Sequence, residues 1–449
     1  MISSVDLSQY KCFEDKGDCA MKKIIQTVAQ VLLLNIAMSG LFAQAMASSN
    51  PQTEPLLQQS NLAYSGSFRL PDAGNAYPLY SYAGRGLAYD SANNGLIISG
   101  ALGANTTGEV SIPSPAVATN LGSLPISASI QGLADSLDGK IGAINPNAPS
   151  TAHIGGYLVT GNRLIISAYS NYDAMGTQVS SHFARSLDLS STDPVLGPVR
   201  VGLQYPGFVS GYMTNVPPEW QTLLGGPALT GNCCLSITGY QSNGPAASSF
   251  DPAKIVTASA ISATPLVGYP HSSPLGPGWG TQNDLFNGST NITGIVFPFG
   301  TRSVLFFGVQ GTGPFCYGPG TPSVSLAGQI VAGTNGEPWC YDPVNSSKGP
   351  HAYPYVYQVW AYDANDLLAV KNGSKAADQI QPYAIWHLML PYVTATSPTS
   401  ILGVAYDPNT NRIFIAQGRI DNSYSPIIDV FTITDSATYP KSPTDVSVH

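Results

Sequence analysis

Charge is what this chain has least of. Asp, Glu, Lys and Arg make up 10% of the 449 residues, and the net charge is −8. No cluster of lysines and arginines exists to neutralise a phosphate backbone or to bind an anionic membrane surface, which excludes nucleic acid and basic membrane docking. Glutamate is scarcest: beyond residue 47 only Glu54, Glu109, Glu219 and Glu337 occur. Glycoside hydrolysis uses two opposed carboxyls, one kept protonated by burial, so few pairs are available for it. The Gly-x-Ser-x-Gly elbow, His-Glu-x-x-His, a phosphate-binding loop and a calcium-loop consensus are all missing. No cofactor or metal is therefore indicated, bound calcium included.

Long apolar runs are also missing, with one exception. From Met21 the chain reads Met21-Lys22-Lys23, then a largely apolar stretch from Ile24 to Phe42, then Ala45-Met46-Ala47. A basic start, an apolar middle and a small-residue cleavage site describe a secretory signal over 21–47, not an anchor. The polar, mixed-charge residues 1–20 in front of it read as an over-extended start. No later run is long enough to cross a bilayer, and no lipid-attachment cysteine follows the signal. The expectation is a soluble exported protein of bacterial type, secreted or periplasmic, with one domain over 48–449.

Cysteines number six. Cys12 and Cys19 precede the cleavage site, leaving an even four in an oxidising compartment. Cys316 and Cys340 bracket a segment rich in Gly, Pro and Ser and are expected to form a disulfide. Cys233 and Cys234 read either as a vicinal bridge or as two buried thiols. No His or second Cys pair stands at metal-ligand spacing around them.

Abundant instead are Gly (46), Pro (36) and Tyr (24), the residues of turns and strands. They fall into a repeated pattern: an aromatic residue close behind Gly, then, seven positions later, a second apolar run. The copies place Tyr89 before Leu96-Ile97-Ile98, Tyr157 before Leu164-Ile165-Ile166, Phe297 before Val304-Leu305-Phe306-Phe307, and Tyr406 before Ile413-Phe414-Ile415. Turn formers such as Asn93-Asn94-Gly95 and Asn409-Thr410-Asn411 separate the runs, so each copy reads as a β-hairpin, and recurring hairpins suggest a circular or stacked array. A weaker copy, Leu235 to Tyr240, fills the widest gap.

If each hairpin is the inner half of a four-stranded blade, two outer strands should follow it. Phe183–Leu189 with Pro198–Val201, and Tyr355–Asp363 with Tyr383–Pro391, meet that requirement. The last copy is followed by one strand only, Ile427–Ile433. Ala63–Pro71 at the mature N-terminus supplies a fourth and would close the ring. The fold class is all-β, a single β-propeller of five blades closed by an N-terminal strand. Six blades would follow if Tyr362-Asp363 marks an inner strand. A β-solenoid is disfavoured by the uneven spacings of 68, 83, 57 and 109 residues between Tyr89, Tyr157, Tyr240, Phe297 and Tyr406.

The stretches Gly300–Gly308 and His351–Asp363 resemble a family of exported bacterial β-propeller proteins of unassigned activity. The likeness spans roughly the last third of the chain. It implies the same fold and carries over no catalytic residue.

Propeller geometry selects the site. Loops entering the innermost strand and loops joining the second and third strands share one face, where such folds bind ligands. Those loops hold Tyr82, Arg85, His153, Cys233, Cys234, Asn291 and Ser400, then Tyr169, Asn171, Tyr172, Asp173, Gln310, Tyr317, Gln417, Arg419 and Asp421. The segment after Cys340 adds His351 and Tyr353. Candidate catalytic residues are His351, His153, Tyr353, Asp173 and Asp421. Candidate substrate-binding residues are Arg85, Arg419, Tyr82, Tyr169, Asn171, Tyr172, Asn291, Gln310 and Tyr317. Each has a structural alternative: the histidines as packed or capping groups, the arginines as partners of Asp173 or Asp421, and Asp90 and Asp407 as turn residues.

Two functions compete on these residues. One is an enzyme acting on extracellular polysaccharide, hydrolysing through Asp173 and Asp421 or eliminating across an acidic sugar. Elimination would use a Tyr or His base while Arg85 or Arg419 neutralises the sugar carboxylate. The other is a non-catalytic platform binding a glycan or a protein through the same aromatic face.

Overall fold

The computed structural model describes residues 50–71, 79–82, 85–232, 238–256, 258–393, 400–421 and 424–434. The stretch read as an over-extended start, the signal at 21–47, and Cys233 and Cys234 lie outside the described residues. A short turn, Pro51–Thr53, belongs to a first unit, Met1–Thr53; the second unit, Glu54–His449, carries the described strands. No described helix is long and apolar enough to cross a membrane.

The first described strand is β1 (Leu62–Arg69), and sheet after sheet follows it. The first sheet is β2 (Leu87–Asp90), β3 (Gly95–Ser99), β4 (Thr106–Ser111) and β5 (Ser129–Asp135). The second is β6 (Ala152–Thr160), β7 (Arg163–Ser170), β8 (His182–Ser186) and β9 (Leu196–Val201). The third is β10 (Met213–Asn215), β11 (Ala228–Thr230) and β12 (Ala247–Phe250), with helix α1 (Pro218–Leu224) between its first two strands; β13 (Ala260–Ile261) runs parallel to β9, and β14 (Ala263–Val267) completes the sheet. In the fourth, β15 (Asn291–Val296) and β16 (Ser303–Gly311) precede an insert of β17 (Cys316–Thr321), β18 (Cys340–Tyr341) and β19 (Lys348–His351). β20 (Tyr355–Asp363), helix α2 (Ala364–Lys371) and β21 (Ala384–Leu388) follow. The fifth is β22 (Ile401–Asp407), β23 (Arg412–Asp421) and β24 (Ser425–Ile433), and its fourth strand is β1, paired antiparallel with β24 from Leu62↔Ile433 to Arg69↔Ile427.

The second strand of each sheet explains the continuous apolar runs. Successive side chains point to opposite faces, and both faces are covered. Leu96 and Ile98 pack with Phe414 and Val430 of the fifth sheet, while Ile97 packs with Leu164 and Ile166 of the second. Ile165 turns to Ala228 and Phe250 of the third sheet, and Leu229 packs with Val304 and Phe306 of the fourth. Leu305 and Phe307 meet Ile413 and Ile415 of the fifth. Each sheet thus shares one core with the sheet before it and one with the sheet after, the fifth sharing one with the first. At about 1.5–3 kcal/mol per large buried apolar side chain, these interfaces dominate the stability.

The repeated glycine has a packing reason. The first strands lie side by side, and a Cβ on Gly156 would sit 2.4 Å from Gly211 O, one on Gly403 2.8 Å from Leu87 N. No side chain fits at those approaches. β2 neighbours β6 and β22, β10 neighbours β6 and β15, and β15 neighbours β22. Between them remains a cavity of about 60 Å³ lined by Ala88, Leu158, Met213, Ile295 and Ala405.

One expected element is corrected. Of the copy expected at Leu235 to Tyr240, residues 235–237 lie outside the described residues and Thr238–Tyr240 is a 3-10 turn; the first hairpin of the third sheet is β10 with β11. Helix α1 separates these two strands, which breaks the seven-residue spacing found in the other copies.

Candidate functional site

In an antiparallel hairpin the start of the first strand and the end of the second lie at the same end. That rule places His153, second residue of β6, directly across from Tyr169 of β7, with their rings 5.7 Å apart. Arg85, two residues before β2, reaches the same point and hydrogen-bonds the Tyr169 hydroxyl. Burial raises the Tyr169 pKa, and the charge and hydrogen bond of Arg85 oppose the rise. Burial lowers the His153 pKa, so its imidazole is neutral at pH 7. Arg85 Nη1 and His153 Nδ1 are buried and have no hydrogen-bond partner. A cation, a neutral base and a protonated phenol therefore converge, and no carboxylate pairs with Arg85 among the described residues. Asn105, in a left-handed conformation, fixes the entry of β6 by accepting from Ile154 N and donating to Ala152 O at 3.3 and 3.2 Å.

A second cation stands at the same end of the fifth sheet. The Arg419 guanidinium lies 5.0 Å from the Tyr82 ring centroid, and its Nε has no hydrogen-bond partner. Tyr82 is held by Tyr424, its amide donating to Tyr424 O at 2.7 Å and its ring meeting the Tyr424 ring at 5.3 Å. Tyr82 lies three positions before Arg85, at most about 11 Å of chain. Ser400 Oγ and Gln417 Oε1 at the same hairpin end are also buried without partners.

Other candidates are committed elsewhere. Asp173 Oδ1 accepts from Thr177 N and Oγ1, and its Oδ2 accepts from Gln178 N and from the Tyr205 hydroxyl. Burial pushes the Asp173 pKa up, but these hydrogen bonds outweigh it and hold the carboxyl below its ordinary value. Asp421 takes two hydrogen bonds from Arg69 and is buried. As candidates for an opposed hydrolytic pair, Asp173 and Asp421 are each engaged by fixed donors, and the Asp173 carboxyl is held below its ordinary value. Nor does either pair with Arg85 or Arg419.

The catalytic reading of His351 is corrected too. Its Nδ1 is 2.7 Å from Asp342 Oδ2, and its Nε2 is 3.2 and 3.0 Å from the carbonyls of Gly318 and Ser347. Carbonyls only accept and Asp342 already accepts from Tyr355 OH, so both ring nitrogens donate and the ring is an imidazolium with no nitrogen free for chemistry. Burial lowers its pKa, but the bonds and charge of Asp342 and the two carbonyls win and raise it. Tyr353 belongs to the same insert, edge-on to Tyr341 and Tyr355 at 5.7 and 6.2 Å. Gln310 is a brace, accepting from Thr290 Oγ1 at 2.5 Å and donating to Asn283 O at 2.7 Å.

Asn291 begins β15 and lines a separate small cavity of about 40 Å³ with Asn232 and Gln241. Asn171 N donates to Thr151 O at 2.8 Å at the end of β7. Tyr172 and Tyr317 are exposed, at 64% and 47%. Cys316 and Cys340 form a disulfide with Cα atoms 5.6 Å apart. Asp90 and Asp407 are turn residues, accepting from Ala92 N and Asn409 N at 2.9 Å.

Sequence reasoning missed Tyr424 and Asn105. Tyr424 gave no signal, while Asn105, soon after Gly103 in a loop leaving β3, fits the left-handed preference of Asn.

No protein-family model and no curated protein matches the chain. Among solved structures it is similar to a luciferin-regenerating enzyme at 8% identity, covering 85% of this chain and 96% of that one with a TM-score of 0.28. A superposition that loose carries no argument about fold or chemistry.

Proposed function

We propose that this is an exported five-bladed β-propeller, closed by its N-terminal strand, that cleaves an acidic extracellular polysaccharide by β-elimination. Cores shared between neighbouring sheets all the way round support the closed five-bladed reading. The Cys316–Cys340 disulfide is compatible with an oxidising compartment.

The observation that carries the activity is the convergence of Arg85, Tyr169 and His153 with unpartnered atoms on the arginine and the histidine. Arg85 would take the uronate carboxylate and make the neighbouring C–H more acidic. His153 Nδ1, neutral at pH 7, would accept that proton; the C–H electron pair forms the new double bond as the C–O bond to the departing sugar breaks, and Tyr169, kept protonated by burial, donates to the leaving oxygen. The axial cavity of about 60 Å³ is far below the roughly 300 Å³ of a ligand pocket, which directs substrate to the hairpin ends instead.

The test is incubation of the chain from Ser48 with acidic and neutral polysaccharides, following reducing ends and the ultraviolet absorbance of a conjugated uronate. New absorbance with an acidic polymer supports elimination. Reducing ends alone would mean hydrolysis, and binding with neither signal would mean a non-catalytic platform.

A further inference from the structure

Aromatic side chains of the insert between β16 and β20 meet Trp279, a half-buried residue of the segment between β14 and β15 that also packs against the core shared by the third and fourth sheets. Trp279 lies against Gly288, where a Cβ would come within 2.4 Å of the indole, and it meets Phe315 and Tyr317 with ring centroids 4.9 and 6.0 Å away. Tyr317 directly follows the disulfide-bonded Cys316 and stands opposite Pro350 of β19. Rings so held lose little conformational freedom on binding. Lys348, beside them on β19, hydrogen-bonds Glu337 and lies close enough to Tyr317 and Tyr172 for each to act on its charge. Tyr172 follows β7 of the second sheet, three residues beyond Tyr169, so about 11 Å of chain at most separates it from the Arg85 cluster.

Resting on the reading of the Arg85 cluster as a site for an acidic glycan, we propose that Tyr172, Tyr317 and Trp279, with Lys348, form an accessory subsite for the polymer chain leading away from that cluster. The exposed phenols of Tyr172 and Tyr317, with the half-buried indole bracing Tyr317, pack on the C–H faces of sugar rings while their polar edges stay wet, and an ammonium group suits a chain that carries carboxylates. The protein would then act within long chains and prefer polymers to short fragments.

The experiment is affinity electrophoresis in gels containing polygalacturonate, alginate or hyaluronan, with Y172A/Y317A and W279A beside the wild type and R85A, and thermal melting to confirm folding. A matching acidic trisaccharide, titrated separately, reports the Arg85 cluster alone. The expected result is polymer affinity about tenfold weaker in Y172A/Y317A, with trisaccharide affinity unchanged. If R85A loses retardation while both aromatic variants keep it, the glycan reading stands and the accessory subsite is overturned. If the wild type is retarded by no acidic polymer, both fail. Equal losses toward polymer and trisaccharide would place the rings in the primary site and overturn the separate subsite.

Discussion

Arg69 of β1 and Asp421 of β23, 352 residues apart, form a two-point ion pair with hydrogen bonds of 2.9 and 3.0 Å. The pair crosses β24 and is largely buried, with side-chain exposures of 13% and 3%. It ties the first strand of the chain to the fifth sheet. Removing one partner of such a pair leaves an uncompensated buried charge and costs about 3–5 kcal/mol. Arg69→Ala and Asp421→Leu should each lower the unfolding free energy from denaturant titration by that amount, and the double variant Arg69→Met/Asp421→Leu should recover most of it. Single variants within 1 kcal/mol of wild type would show that β1 is not an integral strand.

The imidazolium of His351 and the carboxylate of Asp342 should make the insert pH-sensitive. The His351 pKa is raised, so its contribution is full below the ordinary 6.5 and is lost as pH rises through the raised value. The Asp342 pKa is lowered: burial raises it, but bonds from His351, Tyr355 and two backbone amides outweigh that, so its contribution is present above 3.8 and lost as pH falls through the depressed value. His351→Phe should therefore destabilise most between about pH 4 and 6.5 and less in alkali. Hydrogen exchange of β17 and β19 across pH would read this directly; a penalty independent of pH would point to lost packing alone.

Two copies of the repeat treat the same aspartate differently. Asp407 meets Arg412, directly opposite on β23, at 3.2 Å. The position opposite Asp90 is Gly95, and the space a side chain would fill there is taken by the Glu109 carboxyl. Asp90 Oδ2 and Glu109 Oε1 are buried with no donor, and burial first, then Asp90, raise the Glu109 pKa against the bonds from Gln131 and Asn93. A proton on Glu109, whose pKa is raised, would supply the donor that Asp90 Oδ2 lacks. Such stabilisation is present at low pH and lost as pH rises through the raised value. Glu109→Gln, which supplies a permanent N–H, should raise the melting temperature at pH 8 and change it little at pH 4. A lower melting temperature at both would contradict the protonated Glu109.

Within the Arg85 cluster, His153→Phe should lower kcat by about 10²–10⁴ and Arg85→Ala should lower kcat/KM by about 10²–10³. Because burial lowers the His153 pKa, the acid limb of the wild-type pH profile should fall below 6.5. His351→Phe, by contrast, should leave kcat on soluble acidic oligosaccharides near wild type. Loss of activity in His351→Phe with retention in His153→Phe would reverse the assignment.

The sequence revealed what depends on local pattern. Second strands such as Leu96-Ile97-Ile98 are apolar on both faces because each lies between two sheets, and that signal needs no partner to be read. β10 and β11 escaped because three-residue strands show no period and α1 sits between them. Hairpin geometry put His153 and Tyr169 on one face, but that they stand directly across from each other was seen only in the structure. The engagement of Asp421 by Arg69 could not be read, since nothing in sequence links positions that far apart. His351 reads in the sequence as either a catalytic or a packed histidine, and the carbonyls of Gly318 and Ser347 that occupy its Nε2, which favour the second, were not visible there.

The most direct measurement is a crystal structure of the His153→Phe variant with an acidic trisaccharide that the wild type cleaves. The account requires the sugar carboxylate within hydrogen-bonding distance of Arg85 and the leaving oxygen facing the Tyr169 hydroxyl. A sugar bound elsewhere, or bound with its carboxylate turned away from Arg85, would contradict it.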